Sequence, residues 1–307
     1  MAAPSAPAAP PLSKGASLLR VTVLYAVALV VAAGWLLLGP DTPWVLLDTL
    51  VADVLATLVV FAGSRLLGNS SCYDAYWSVA PPLIAAYWWF TAPGDVDGVR
   101  FALLAVVLGL WAVRLTGNWV RSWPGLHHED WRYPLLRDKA PSPAAEVGVD
   151  LMAIHVVPTL QVFAAMLPVY AVTRSDRGWG WLDLVALAVG LGAVALEHVS
   201  DQQLFRFAAN RRPGDVLDTG VWGWSRHPNY FGELMLWVSM ALFGLSASPA
   251  DFWWVLPGAA GIAAMLLGAS IPMMEERSLA RRPEYADVVA RVPRLVPRPP
   301  RRTGSGG

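Results

Sequence analysis

Cysteine is nearly missing: Cys72 stands alone in 307 residues, which excludes a disulfide framework and a thiolate metal cluster. No Gly-x-Gly-x-x-Gly run follows a strand pattern, so any nucleotide site has to be of a non-Rossmann kind. No segment repeats at a fixed period, which leaves solenoids and inverted-repeat transporters without support. Charge is sparse as well. Charged residues make up 15% of the chain against 55% hydrophobic ones, and the mean hydropathy is +0.44. Such a chain cannot cover its apolar surface with polar groups, so it reads as an all-α integral membrane protein.

A membrane span needs about 20 apolar residues. Runs of that kind lie near 17–38, 44–67, 75–91, 99–119, 148–172, 179–205, 229–247 and 252–274, which predicts about eight helices, seven to nine. The third is short and the sixth long enough to project beyond the bilayer. The Ala/Pro-rich residues 1–15 are expected to form a disordered tail, residues 16–298 one polytopic membrane domain, and residues 299–307 a disordered basic tail. The first apolar run has no basic region before it and is long enough to span, so it is expected to stay as an anchor. Formal net charge is zero, but the 23 Lys and Arg are unevenly placed. With eight spans and both termini in the cytosol, only Arg100, Arg174 and Arg177 fall on the outer side, as the positive-inside rule requires. The loops 120–147 and 206–228 and the tail from residue 275 then share the cytosolic face, where a soluble cofactor would arrive.

The chain is organised around Gly220-Val221-Trp222-Gly223-Trp224-Ser225-Arg226-His227-Pro228-Asn229-Tyr230-Phe231-Gly232-Glu233, set just before the apolar run from Leu234. Pro228 fixes φ and lacks an N–H, so it suits the first turn of a helix that starts there. Asn229 and Glu233 are then one turn apart on one face, with Trp237 above them. A bland helix start would not need that carboxylate.

Other residues could carry chemistry. Glu197 and Asp201 share a face near the end of the sixth span, where carboxylates usually line a cavity or find a partner; a solvated helix end is the plainer reading. The loop from Asn118 to Tyr133 contains His127-His128-Glu129-Asp130, but adjacent positions seldom face one metal, and membrane di-iron hydroxylases and desaturases use many more histidines than the five here. No metal is expected. Arg121 and Arg132 of this loop are available for phosphate, or belong to an interfacial Trp/Arg belt. Asp74 and Tyr76, at the start of the third span, offer an acid and a phenol beside an apolar cavity; helix capping and interface aromatics are the alternative. Asp53 and His155 lie deep in spans without a partner visible in the sequence. The arginines from 298 to 302 suit anionic lipid headgroups.

The motif at 220–233, Glu275-Glu276, Glu284-Tyr285 and the closing Pro-Arg-Pro-Pro together resemble the steroid 5-alpha-reductase superfamily, and within it a bacterial branch of uncharacterised membrane proteins. The resemblance extends from about Ser70 through Asn118, the loop at 128–133 and Ser200-Asp201 to the tail. It implies a reductase acting on a carbon–carbon double bond conjugated to a carbonyl, in a steroid-like or other lipid. It further implies NADPH held by Asn229 and Glu233, with Asp201, Arg226, Tyr230 and Tyr285 as further contacts, and an active site facing the cytosol of a bacterial inner membrane. Family steroid reductases carry a Gln-Glu pair near the start of the third helix and a tyrosine one helix later; here that place reads Tyr73-Asp74-Ala75-Tyr76-Trp77, so Asp74 and Tyr76 are the catalytic candidates. The extra first helix also departs from the shorter reductases. Arg-His-Pro-x-Tyr and Glu-Glu occur as well in isoprenylcysteine carboxyl methyltransferases and related phospholipid methyltransferases, which implies S-adenosylmethionine as the alternative cofactor. A non-catalytic lipid-binding protein on the same fold is the third reading. No nucleic-acid or protein partner is implied.

Overall fold

The computed structural model describes residues 12–40, 42–94 and 96–299. Within them every regular element is helical and no strand occurs. Among the described residues seven helices are long and apolar enough to cross a membrane: α1 (Lys14–Leu38), α2 (Val45–Leu67), α4 (Gly98–Ser122), α6 (Pro143–Val172), α7 (Trp181–Asn210), α8 (Pro228–Ala247) and α9 (Pro249–Arg281). Helix α3 (Tyr76–Phe90) is the short third span of the sequence reading; its 15 residues rise about 22 Å, less than the roughly 30 Å hydrocarbon layer. Two short helices, α5 (Arg132–Arg137) and α10 (Tyr285–Arg291), lie outside the spans. The protein is thus an all-α integral membrane protein. Helix α7, at 30 residues, is about 45 Å long and exceeds the hydrocarbon thickness, as its length predicts.

Boundaries differ from the hydropathy reading where capping decides. Residues 1–11 and 300–307, which hold most of the two expected tails, fall outside the described residues. The first tail does not extend to residue 15: α1 already begins at Lys14, because the Ser13 hydroxyl accepts from the Ala16 amide at 3.2 Å and caps it. Helix α6 starts five residues earlier than hydropathy indicates, at Pro143, capped by Ser142. It passes through a wide turn of π geometry at Asp150–Val156 before continuing. Helix α9 holds a similar wide turn at Leu266–Ser270, followed by Pro272, whose missing N–H a regular helix could not accommodate.

The chain divides into two compact units. One comprises residues 1–80 and 115–160. Its apolar core joins Ala28 of α1, Ala56 and Val60 of α2, and Tyr73 and Tyr76. A polar network runs beside it. Asp150, fully buried, accepts from the Ser70 hydroxyl at 2.7 Å and from Arg65 at 3.0 Å, while Arg137 pairs with Glu129. His155, for which the sequence shows no partner, sits on the π turn with Nδ1 2.9 Å from the Asp150 carbonyl.

The other unit comprises residues 81–114 and 161–307. Helices α7 and α8 pack closely because glycines stand at their contact. A Cβ on Gly190 would lie 2.5 Å from Val107 Cγ1 and 2.6 Å from Ser239 Oγ, and one on Gly232 would strike the Glu197 side chain. At one end of this unit Arg100, fully buried, donates from Nε to Asp183 at 2.9 Å and from Nη1 and Nη2 to the carbonyls of Arg177 and Gly178. Asp183 also accepts from the Gly180 amide and the Ser246 hydroxyl. Every strong donor and acceptor of the pair is met, the condition under which a buried ion pair is tolerated.

Candidate functional site

The stretch 220–233 takes its shape from three local constraints. Gly220 has φ of 59°, and a Cβ there would collide with Gln203, whose Oε1 accepts from the Val221 amide at 3.0 Å. Trp222 Nε1 donates to the Ser200 carbonyl at 3.1 Å, tying the loop to the end of α7. Pro228 then opens α8, as the sequence predicts, with His227 at its N-cap. Residues 224–226 are also bound to the C-terminal segment: the Arg226 amide donates to Pro293 O, the Arg298 amide to Trp224 O, and Ser225 Oγ to Leu295 O.

Arg226 is the clamp of this arrangement. Its Nε and Nη2 each lie 2.7 Å from Glu275, and Nη1 donates to the carbonyls of Val289 and Val292 at 3.0 and 2.7 Å. Glu275 also receives His227 Nε2 at 3.2 Å and Arg294 Nε at 3.3 Å. Burial holds the His227 imidazole below its ordinary range in spite of that carboxylate. Tyr230 stacks on it at 5.6 Å between centroids. Tyr285 is buried against Val216, Val288 and Val292, and removal from water raises its phenol. Arg226 and Tyr285 therefore fasten the tail, with the guanidinium donors committed to protein acceptors.

Deeper in the same unit lies a buried ionic cluster. Arg114 of α4 reaches between α7 and α8, with Nη1 2.8 Å from Asp201, Nη2 2.7 Å from Glu197 and 3.9 Å from Glu233. Glu233 accepts from two indoles, Trp237 Nε1 at 2.8 Å and Trp111 Nε1 at 3.0 Å, whose rings meet edge to face. Three carboxylates surround one guanidinium, and the bonding is incomplete. Arg114 Nε and Nη2 and Glu197 Oε2 are buried without an aligned hydrogen-bond partner; the 2.7 Å approach of Nη2 to Glu197 is an ion pair by distance and not by direction. Asn229, half-buried one turn before Glu233, presents an amide with no partner among the described residues.

The structure thus brings Asp201 and Glu233 into one cluster, with Asn229 on the Glu233 helix, and places Arg226, Tyr230 and Tyr285 around Glu275. Sequence reading missed the centre of the first group. Arg114 counted there only as one more inner-side charge, yet an arginine inside the apolar run 99–119 is itself the signal of a buried partner. Glu197 and Asp201, one turn apart, find that partner together.

Asp74, Tyr76, Arg121 and Arg132 belong to the other unit. Asp74 is hydrogen-bonded by the Tyr133 hydroxyl, whereas Tyr76 donates to Asp53 at 2.8 Å. The acid and phenol expected to work as one pair thus each have another partner. Loss of water pushes the Asp74 carboxyl up to about 7, although Tyr133 and Arg132 both favour its charged form. Arg132 is held bidentately by Asp130 at 2.8 and 3.1 Å. Arg121 is exposed on the last turn of α4, where its carbonyl accepts from Lys14 Nζ at 2.9 Å. In the His127–Asp130 run, Glu129 is taken by Arg137 and the Ser70 amide, which is ion-pair and capping chemistry.

These features define a polytopic helical membrane protein with a buried ionic cluster between spans. The chain belongs to the family described as protein of unknown function (DUF1295), whose match covers residues 60–292. An uncharacterised protein of the fission yeast Schizosaccharomyces pombe is 27% identical over 254 residues, which cover 75% of this chain and 73% of that protein. The family match includes each site residue discussed above from Asp74 to Tyr285 and leaves out α1 and the segment after residue 292.

Proposed function

We propose that this protein is a membrane-embedded, NADPH-dependent reductase of a carbon–carbon double bond conjugated to a carbonyl in a steroid-like or other lipid, with its active site open to the cytosol of a bacterial inner membrane. The observation that carries the reading is the unmet bonding of the ionic cluster. Buried donors on Arg114 and a buried acceptor on Glu197, together with the free amide of Asn229, suit a ligand group that offers an acceptor and a donor side by side, as a carboxamide does. Bound NADPH would supply the hydride that adds to the carbon beta to the carbonyl. Glu233, held by two indoles, keeps the cluster in register and does not turn freely towards a ligand. In the other unit the Asp74 carboxyl, pushed up to about 7 and hydrogen-bonded by Tyr133, is the candidate proton donor.

The same donor and acceptor set also matches the carboxylate and ammonium of an amino-acid moiety, which keeps an S-adenosylmethionine-dependent methyltransferase as the second reading. Ligand-dependent thermal stability of the detergent-purified protein with NADPH, NADH and S-adenosylmethionine separates them. A ligand at about 100 times its dissociation constant adds roughly 2.7 kcal/mol. A shift with NADPH, lost in Asn229→Ala, supports the reductase; a shift with S-adenosylmethionine alone transfers the cluster to methyl transfer. Stability unmoved by all three removes both and leaves a non-catalytic lipid-binding role.

A further inference from the structure

Beneath the clamp formed by Arg226 lies a cavity of about 310 Å³, walled by Arg226, Arg291, Arg294 and Arg298 with Val292 and Pro293 between them. Its walls are built rigidly. The backbone of residues 293–298 is bonded to residues 224–226 at three points, so the arginines at 291, 294 and 298 are fixed around one space and not strung along a loose tail. Their partners are unequal. Arg226 spends its donors on Glu275 and two carbonyls, and Arg291 donates to Asp218 at 2.8 Å. Arg294 reaches Glu275 through Nε alone, at 3.3 Å, and its side chain is 43% exposed. The Arg298 guanidinium has no hydrogen-bond or ion-pair partner among the described residues. Among the described residues four guanidinium groups are thus paired by two carboxylates, Glu275 and Asp218, two more positive charges than their direct partners offset. Planar guanidinium donors at close quarters match the oxygens of a phosphate, singly or as bidentate pairs.

We propose that this cavity is a phosphate-binding site, with Arg294 and Arg298 as the principal ligands and Arg291 as a third. A lone anion of that size fills only part of 310 Å³, so the phosphate is carried by a larger molecule, either a soluble nucleotide or a lipid headgroup. Arg226 and Arg291 lie within the family match, and Arg294 and Arg298 lie past residue 292, where it ends. The inference is independent of the hydride chemistry above, since any phosphate ligand satisfies it.

The test measures binding of inorganic phosphate to the full-length protein in nanodiscs of phosphatidylcholine, for the wild type, Arg298→Gln and Arg298→Glu. The Arg298 side chain holds no other side chain among the described residues, so neither variant loses a bond described there. Saturable phosphate binding in the millimolar range or below is expected. Each unit of charge removed should weaken it about fivefold, so Arg298→Glu should weaken it roughly 30-fold. Adenosine 2′,5′-bisphosphate binding more tightly than phosphate identifies a nucleotide as the carrier. Displacement of phosphate by phosphatidylglycerol in the nanodisc identifies a lipid, and the absence of both effects overturns the claim that a larger molecule carries the phosphate. Absence of saturable binding, or equal affinity in all three proteins, overturns the proposal. Loss of any NADPH response with phosphate binding intact would sink the reductase reading alone.

Discussion

Glu233→Ala is the substitution that most directly measures what the buried cluster contributes to the fold. It strips the acceptor from Trp111 Nε1 and Trp237 Nε1 at once and leaves two indole donors in a dry interior. Hydrogen bonds between membrane helices average about 0.6 kcal/mol, with the strongest near 1.7. Only the Trp111 bond joins two helices, α4 and α8, and with a charged acceptor it belongs at the upper end, about 1 to 1.7 kcal/mol; the Trp237 bond lies within α8, one turn apart, and contributes less. Against this, deleting one of three carboxylates around Arg114 relieves like-charge repulsion, because the guanidinium lies 3.9 Å from Glu233 and nearer to the other two. The two effects oppose each other, so the single substitution alone decides little.

A double-mutant cycle isolates the bonds. Trp111→Phe and Trp237→Phe remove the N–H and keep an aromatic ring, and unfolding in mixed micelles of rising SDS fraction reports stability. Glu233→Ala should cost about 1 to 1.7 kcal/mol less in the Trp111→Phe background than in the wild type, a smaller amount less in Trp237→Phe, and least with both. Glu233→Gln, which keeps the volume and one acceptor, should fall between. Coupling indistinguishable from zero for both tryptophans would refute the claim that the carboxylate is held by the indoles and would return Glu233 to the set of groups free to meet a ligand.

Other outcomes follow from the same geometry. Arg100→Ala, which strands Asp183 in the interior, should cost about 3 to 5 kcal/mol, whereas Arg100→Met with Asp183→Leu should cost much less than the two single changes together, read by the same unfolding assay. Gly232→Ala forces a methyl group against the Glu197 side chain and within 3.1 Å of the Ala193 carbonyl, so it should lower stability by about 1 to 3 kcal/mol. Asp74 predicts a pH dependence with a definite sign. Its folded pKa near 7 exceeds the ordinary carboxylate value, so between about pH 4 and 7 the folded protein keeps a proton that the unfolded chain has released, and stability declines as pH rises through that window. Unfolding midpoints measured from pH 4 to 8 should show that decline flattened in Asp74→Asn; an unchanged slope assigns it to another group. If Asp74 is the proton donor, turnover of a conjugated lipid ketone should also fall as pH rises past about 7 and be lost in Asp74→Asn.

What can be foreseen from the sequence, and what cannot, divides along one physical line. Local constraints are legible. The apolar runs locate the spans, and Pro228 marks the start of α8 because its ring and missing N–H admit few other positions. Capping displaces α1 and α6 by a few residues, a correction of the same local kind. Partnership between helices is not legible, because hydropathy weighs a residue by its neighbours in sequence and a buried charge is satisfied by neighbours in space. Asp53 and Tyr76, Asp74 and Tyr133, and Arg114 with Glu197, Asp201 and Glu233 are separated by 23 to 119 positions, and no periodicity links them. One rule does reach across that gap. An ionisable residue inside an apolar run needs a partner, and applied evenly along the chain it selects Arg114 beside Glu197. Arg226 shows the same gap from the other side. The motif around it suggests a place for a ligand, but a guanidinium whose donors close on Glu275, Val289 and Val292 holds the tail in place, and the arginines left for an anion are those the tail itself brings.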